Sequence, residues 1–373
     1  KGSLNPSNPV IGPIIGQMSL DPLNNSQFVL INALGNALTQ QELESYVNQL
    51  VPDLNTGVIN IAQQDVILSQ VQQRINGLRA DLPGVAGIAA GDINFNTAVW
   101  FGPFGSVSNQ DIVDNNPGYR AYSGGAILGL DWEFSDRNLL GAAMARSSTN
   151  VQTKTSPGAS NRMIGYHAIL YGNHLLYKNA DGFFEWMLNG ASNLNTGTRR
   201  IYITGNDFST GYSFHGYQGG FLCNYGQKIK NMSWGNFTPV GTLKYGLVYS
   251  PAYAENSASP AALYVNNNRT RDVLTLGLGG RTTYKVDRSW LKARGVLALT
   301  LAYDVISSAE KTAANFISGS PIFTYVTTPA RWSVSFDANC GFNLSDDTQV
   351  QFVYELQVRA GFIAYACMVN LMY

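Results

Sequence analysis

The stretch "GFIAYACMVNLMY", residues 361–373, decides the fold. Taken at every second position back from its end, it reads Tyr373, Leu371, Val369, Cys367, Tyr365 and Ile363, all apolar or aromatic. Between them lie Met372, Asn370, Met368, Ala366, Ala364 and Phe362, a mixed set with small side chains and one amide. A period of two with unlike faces marks a β-strand.

The same period recurs upstream from about residue 96, and twelve candidate strands can be counted, the quoted one last. In "YSGGAILGLDWEF", Ala126, Leu128, Leu130, Trp132 and Phe134 oppose Gly125, Gly129, Asp131 and Glu133. In "RWSVSFDANCGF", Trp332, Val334, Phe336, Ala338, Cys340 and Phe342 oppose Arg331, Ser333, Ser335, Asp337, Asn339 and Gly341. The strands run about 10–14 residues, whereas a soluble sandwich or propeller calls for about five or six. Crossing a bilayer takes roughly 9–11 tilted residues. Tight connections such as "SDRN" and "SDDT" alternate with longer polar ones at 109–117, 150–160, 195–207, 252–270 and 307–328. One short and one long rim describe an up-and-down membrane barrel. The fold expected is all-β: a 12-stranded antiparallel transmembrane β-barrel.

Energetics sets the phase. In hydrocarbon each unsatisfied backbone group costs several kcal/mol, so the sheet must close. A Lys or Arg at the lipid midplane costs about 2–4 kcal/mol. The charged residues Asp131, Glu133, Glu185, Lys244, Arg281, Asp304 and Glu355 all fall opposite the apolar face, which assigns them to the lumen. The same phase turns Cys223, Cys340 and Cys367 toward lipid, and their odd number and wide spacing argue against a metal site or disulfide framework. Of the tryptophans Trp100, Trp132, Trp186, Trp234, Trp290 and Trp332, most fall near strand ends, where amphipathic rings favour the headgroup level.

Composition agrees. Charged residues make up 13%, against about 25% in soluble proteins. Lys+Arg and Asp+Glu balance at 24 each, which gives no footprint for nucleic acid. The first residues, "KGSLNPSNPV", have no apolar core of a signal peptide, so a protein living outside the cytoplasm would be represented here by a mature piece or fragment.

The first 95 residues differ. Residues 1–37, with Pro6, Pro9, Pro13 and Pro22, read as irregular. "TQQELESYVNQLVPD" reads as a helix, with Thr39 and Glu42 at capping-box spacing. A second helix is expected over 58–80, with Ile61, Leu68, Val71, Ile75 and Leu78 on one stripe and Gln63, Gln70, Gln73, Arg74, Asn76 and Arg79 among its polar residues. About 25 helical residues span about 37 Å, enough to cross a barrel. An amide-rich helix suits a polar lumen; the heptad spacing of the stripe also fits a coiled coil.

Catalysis finds little support. The histidines are His167, His174 and His215; His167 should face the lumen, and no nearby Ser stands out as its partner. The glycine runs lie inside strands with no following helix, unlike nucleotide loops.

The last strand resembles the recognition signal of bacterial outer-membrane barrels in its alternation and final aromatic, with Tyr365, Val369, Leu371 and Tyr373 carrying it; Tyr373 stands where Phe is usual. The whole arrangement resembles the translocator domain of monomeric autotransporters (type V secretion). The features are twelve strands in one chain, "VQQRINGLRA" just before the first strand, and "YRAYSGGAILGLDWEFSDRNLLGAAMARSS", with Gly129-x-Asp131, a turn, then Leu140-Gly141. The resemblance covers residues 55–373 or so. It implies a passenger-proximal junction over 1–57, a linker helix and connector over 58–95 with its N-terminal end toward the cell surface, and a barrel over 96–373. It also implies a monomer that needs no cofactor and is not an enzyme. The partners it implies are outer-membrane lipid and lipopolysaccharide, barrel-assembly machinery, periplasmic chaperones and the chain's own passenger. Self-cleavage at an Asn-Asn pair, known in some autotransporters, is not expected, because Asn24-Asn25 lies well before the helix. A monomeric porin-like channel or adhesin barrel is the alternative; within the translocator reading, residues 1–50 have room to form a small cap on the outer mouth, because the helical segment 39–51 would sit just beyond the lumenal helix.

Overall fold

The structure, a computed structural model, describes residues 13, 15, 25–79, 96–112, 117–135, 137–154, 159–176, 182–232, 235–256, 259–288, 291–343 and 349–372. Its strands are β1 (Asn96–Gln110), β2 (Tyr119–Ser135), β3 (Asn138–Thr153), β4 (Ser160–Leu175), β5 (Gly182–Ile203), β6 (Asn206–Gln227), β7 (Ile229–Met232), β8 (Gly235–Ser250), β9 (Tyr253–Ala254), β10 (Leu263–Val265), β11 (Arg269–Arg288), β12 (Leu291–Ser307), β13 (Glu310–Phe316), β14 (Phe323–Thr327), β15 (Trp332–Asn343), β16 (Gln349–Arg359) and β17 (Phe362–Met372).

Twelve of these form one antiparallel ring: β1–β6, β8, β11, β12 and β15–β17. Each pairs with its neighbours, β8 joins β11, and the last strand returns to the first, with Phe101 opposite Leu371 and Val107 opposite Tyr365. No edge is left unpaired in the ring, as hydrocarbon demands. The period of two becomes an alternation of buried and exposed positions, clearest along β3. Leu128, Leu278, Leu299 and Phe352 are 55%, 77%, 58% and 51% exposed on the outside. An apolar surface this continuous belongs against lipid rather than water.

Two expectations about connections change. Residues 195–207, read as a polar loop, are the tips of β5 and β6, joined by a two-residue turn at Thr204 and Gly205, whose φ angles are 45° and 79°. Positive φ at both central positions is the hairpin turn whose twist matches the strands. The alternation continues to the tip, with Arg199, Ile201 and Ile203 buried. The long connections at 252–270 and 307–328 contain β9, β10, β13 and β14, which pair as a second, four-stranded sheet.

Among the described residues, three bounded helices precede the barrel: α1 (Asn25–Gly35), α2 (Gln40–Asn48) and α3 (Thr56–Arg79). The Thr39 side chain caps α2 by accepting from the Glu42 N–H at 3.1 Å, while the Glu42 carboxylate accepts from the Leu38 N–H at 2.9 Å. Helix α1 corrects the reading of residues 1–37 as irregular; the prolines all precede it, and Leu30, Ala33 and Leu34 give it a buried stripe. Both helices pack with the β5–β6 tip and the second sheet around a core that includes Leu30, Val47, Leu50, Ile203, Leu263 and Phe316. This unit lies at the barrel end that carries the long connections.

Candidate functional site

Helix α3 starts where Asp53 gathers four donors. Its carboxylate accepts from the Asn55 N–H at 3.0 Å, Thr56 Oγ1 at 2.7 Å, Asn161 Nδ2 at 3.0 Å and Tyr212 OH at 2.7 Å. An acid at a helix N-terminus satisfies N–H groups that have no intrahelical partner. The same acid here ties the helix to β4 and β6.

From there the helix runs inside the ring. Gln63 Nε2 donates to Ser147 Oγ and Thr149 Oγ1 of β3 at 2.7 and 2.9 Å. Gln64 Nε2 donates to Asn189 Oδ1 of β5 at 2.8 Å. Lys244 Nζ of β8 donates to both Asp65 oxygens at 2.9 and 2.8 Å. Gln72 joins Glu185 of β5 and Asn224 of β6. Asn339 Nδ2 of β15 donates to Gln73 Oε1 at 3.1 Å, and Arg281 Nη1 of β11 to Asn76 Oδ1 at 2.8 Å. Arg74 Nε donates to Asp131 Oδ2 of β2 at 2.7 Å. Partners on seven strands around the ring put the helix within it.

The Asp131 site explains the glycine pattern of β2 and β3. Trp100 Nε1 donates to Tyr171 OH at 2.8 Å, and Tyr171 OH donates to Asp131. A Cβ on Gly129 would meet the Trp100 ring at 2.2 Å, and one on Gly141 the Tyr171 ring at 2.2 Å. The two glycines therefore seat the rings that orient the carboxylate. Trp100 is 4% exposed and inward, which corrects its assignment to the headgroup level.

The wall is not uniformly polar. Ile67, Leu68, Val71 and Ile75 pack against Trp100, Ile127, Met187, Val353 and Met368. Strand alternation alone did not reveal this inward apolar patch; the signal was apolar residues such as Ile127 on the supposedly polar face. On the opposite side a crevice of about 150 Å³ remains between helix and wall, lined by Lys244, Arg281, Asp337 and Glu355 among others.

The remaining assigned residues distribute as follows. Glu185 is fully buried and lies 3.6 Å from Arg281 Nη1. Asp304 bonds within the wall, accepting from Thr275 Oγ1 at 2.7 Å and Arg359 Nη1 at 2.6 Å. Glu133 corrects the lumen assignment in depth: it shares the Asp131 face but is exposed at the end of its strand. Gln70 is buried. The side chain of Arg79 lies outside the described residues, as do that of Leu371 and the whole of Tyr373; Tyr365 and Val369 are exposed on the outer surface at 42% and 39%.

A serine partner for His167 was missed. Ser147 Oγ lies 3.1 Å from His167 Nε2, and His167 Nδ1 lies 3.3 Å from Gln218 Nε2. The two residues are 20 apart in sequence and meet through the β3–β4 register, which pairs Ala145 with His167. Ser147 also accepts from Gln63, so the group belongs to the clamp on the helix.

The family model of the autotransporter β-domain matches residues 99–355. The chain belongs to that family. This autotransporter β-domain is 26% identical over 300 residues to outer membrane protein B of Rickettsia conorii, covering 72% of the chain and 18% of that protein. It is 25% identical over 247 residues to outer membrane protein A of the same organism, covering 61% and 12%. The chain thus spans less than a fifth of the length of these relatives. The fold matches the translocator domain of the autotransporter NalP from Neisseria meningitidis with a TM-score of 0.59 and 12% identity, covering 83% of this chain and 97% of that one. The β-domain of the Bordetella autotransporter BrkA gives 0.50 and 12%, covering 74% and 98%. The β-domain is an integral outer-membrane translocator barrel, a transport fold.

Proposed function

We propose that this barrel carries a passenger lying N-terminal to it to the cell surface, and that α3 is the stretch of the same chain retained in the pore afterwards. The observation that carries this reading is the pair of ion contacts, Lys244–Asp65 and Arg74–Asp131, which hold a polar helix inside a closed wall. A 24-residue helix is ~36 Å long and matches a hydrocarbon core of about 30 Å.

Orientation follows from the two rims. Outer-membrane barrels keep short turns on the periplasmic side and long loops outside. The helix enters at the long-connection end, so its N-terminus faces the cell surface, and α1, α2 and the second sheet cap the outer mouth. Residues 1–57 are then the passenger-proximal junction, 58–95 the linker and 96–373 the membrane anchor. The alternating last strand, with Tyr365, Val369, Leu371 and Tyr373, addresses the chain to barrel-assembly machinery after escort by periplasmic chaperones. The outward apolar face meets lipid and lipopolysaccharide, and the domain works as a monomer.

The test is an epitope fused before Lys1 and a second one inserted within residues 344–348, in chains supplied with a secretion signal in a Gram-negative host. Protease added to intact cells should remove the first and spare the second. The opposite pattern refutes the orientation, and loss of neither refutes display.

A further inference from the structure

We infer that the cavity at the capped end of the barrel is a binding site for a small organic anion with an apolar body, held by Arg271. The cavity is about 420 Å³, inside the roughly 300–1,000 Å³ range of small-molecule sites. It lies between the first turns of α3 and the strand ends around residues 326–330 and 359–362. Val58, Ile61, Val273 and Phe362 supply apolar wall. Val326 and Thr328, exposed on their outer sides, bring it to the solvent.

Three charged side chains line it: Asp65, Arg271 and Arg359. Two are committed elsewhere. Asp65 accepts from Lys244 with both oxygens, and Arg359 donates to Asp304 at 2.6 Å. Arg271 differs. It is 3% exposed, its Nε and Nη1 have no hydrogen-bond acceptor, and it forms no ion pair among the described residues. Glu310 is a counter-charge shared by two guanidiniums: it crowds the space over Gly57 together with Arg271 and lies 3.8 Å from Arg269, with neither carboxylate oxygen hydrogen-bonded. The fully buried Tyr119 side chain stands in the same wall.

A buried guanidinium with idle donors is costly. A carboxylate or phosphate monoester supplies a second negative charge where Glu310 serves both Arg269 and Arg271, and a planar or branched set of acceptors for the idle donors of the guanidinium fork. An inorganic anion leaves the apolar wall uncovered, so the occupant carries a hydrocarbon part. The anion could arrive as a solute or as the headgroup of a membrane amphiphile; the chemistry at Arg271 is shared.

The experiment uses the full chain in phosphatidylcholine nanodiscs with hexanoate as the probe, read by ligand line broadening. Saturable hexanoate binding is expected, with hexanol and acetate each at least about tenfold weaker. Arg271→Gln should lower hexanoate affinity by a similar factor, and Arg271→Lys by less, because a point charge keeps attraction without the fork. If Arg271→Gln does not yield a heat-modifiable barrel, Val326→Trp, which fills the cavity from its rim, should abolish binding instead. Discs containing phosphatidylglycerol identify the source: hexanoate displaced there marks a lipid headgroup, and hexanoate retained marks a solute. Equal binding of hexanol and hexanoate, undiminished binding to either folded variant, or no saturable binding to the unmodified chain overturns the inference.

Discussion

Arg74 of the lumenal helix and Asp131 of the wall meet twice, with Nε and Nη2 of the guanidinium each 2.7 Å from the same carboxylate oxygen. Their side chains are only 4% and 2% exposed. Removing one member of such a pair strands the other charge, at a cost of about 3–5 kcal/mol, whereas replacing both by apolar groups leaves no charge to strand. Asp131→Asn and Arg74→Gln should each lower the temperature at which the barrel loses its heat-modifiable mobility. The double variant Arg74→Met/Asp131→Leu should fall less than the worse single one. Additive losses would show that the two residues act separately.

Gly141 tests the ring that aims Asp131. Its missing Cβ is where the Tyr171 ring sits, and Tyr171 is held by Trp100 and Asp131. Gly141→Ala should destabilise by about 1–3 kcal/mol, the range for overpacking. Gly190→Ala is the control, since a Cβ there meets nothing within 4 Å. Equal thermal shifts for both would remove the steric explanation.

The cap should tighten on mild acidification. Burial pushes the Glu310 carboxyl up from its ordinary value, although Arg269 and Arg271 oppose the shift. A raised folded-state pKa means that the folded form holds the proton more tightly. The stabilising contribution is then complete below the unfolded value of about 4.3 and disappears as pH rises through the folded one. Digestion of α1 and α2 by an added protease should accelerate from acid toward neutral pH, and Glu310→Gln should flatten that rise. The same slope in the variant would assign the effect to another group.

The faces of the wall can be read with labels. Leu276, Leu299 and Phe352 are 50%, 58% and 51% exposed, while Thr275, Ala298 and Gln351 beside them are 3%, 9% and 1% exposed. Spin labels on the first set should be relaxed by oxygen dissolved in the acyl region, and those on the second should not. The reverse would turn the barrel inside out.

Much of this was legible in the residues. Strand period, strand length and the alternation of rims led to the twelve-stranded ring, because one uniformly apolar face has few alternatives. The period also separates Asp131 from Leu130. It does not say how deep a residue sits, which is why Glu133, two residues from Asp131, is exposed at the rim. Nor does it reveal contacts between strands. The Ser147–His167 contact depends on register, and Trp100 turns inward because Gly129 leaves room for it. Helix α1 was obscured by the prolines before it and by an apolar stripe whose partner, the β5–β6 tip, lies far along the chain.

The central claim is that an amide-rich helix occupies the passage through the barrel. Single-channel recording in planar bilayers tests it most directly, by comparing the whole chain with one lacking residues 58–79. The account predicts a small conductance for the whole chain, limited to the crevice beside the helix, and a several-fold larger one after the deletion. Equal conductances from two properly folded barrels would contradict it.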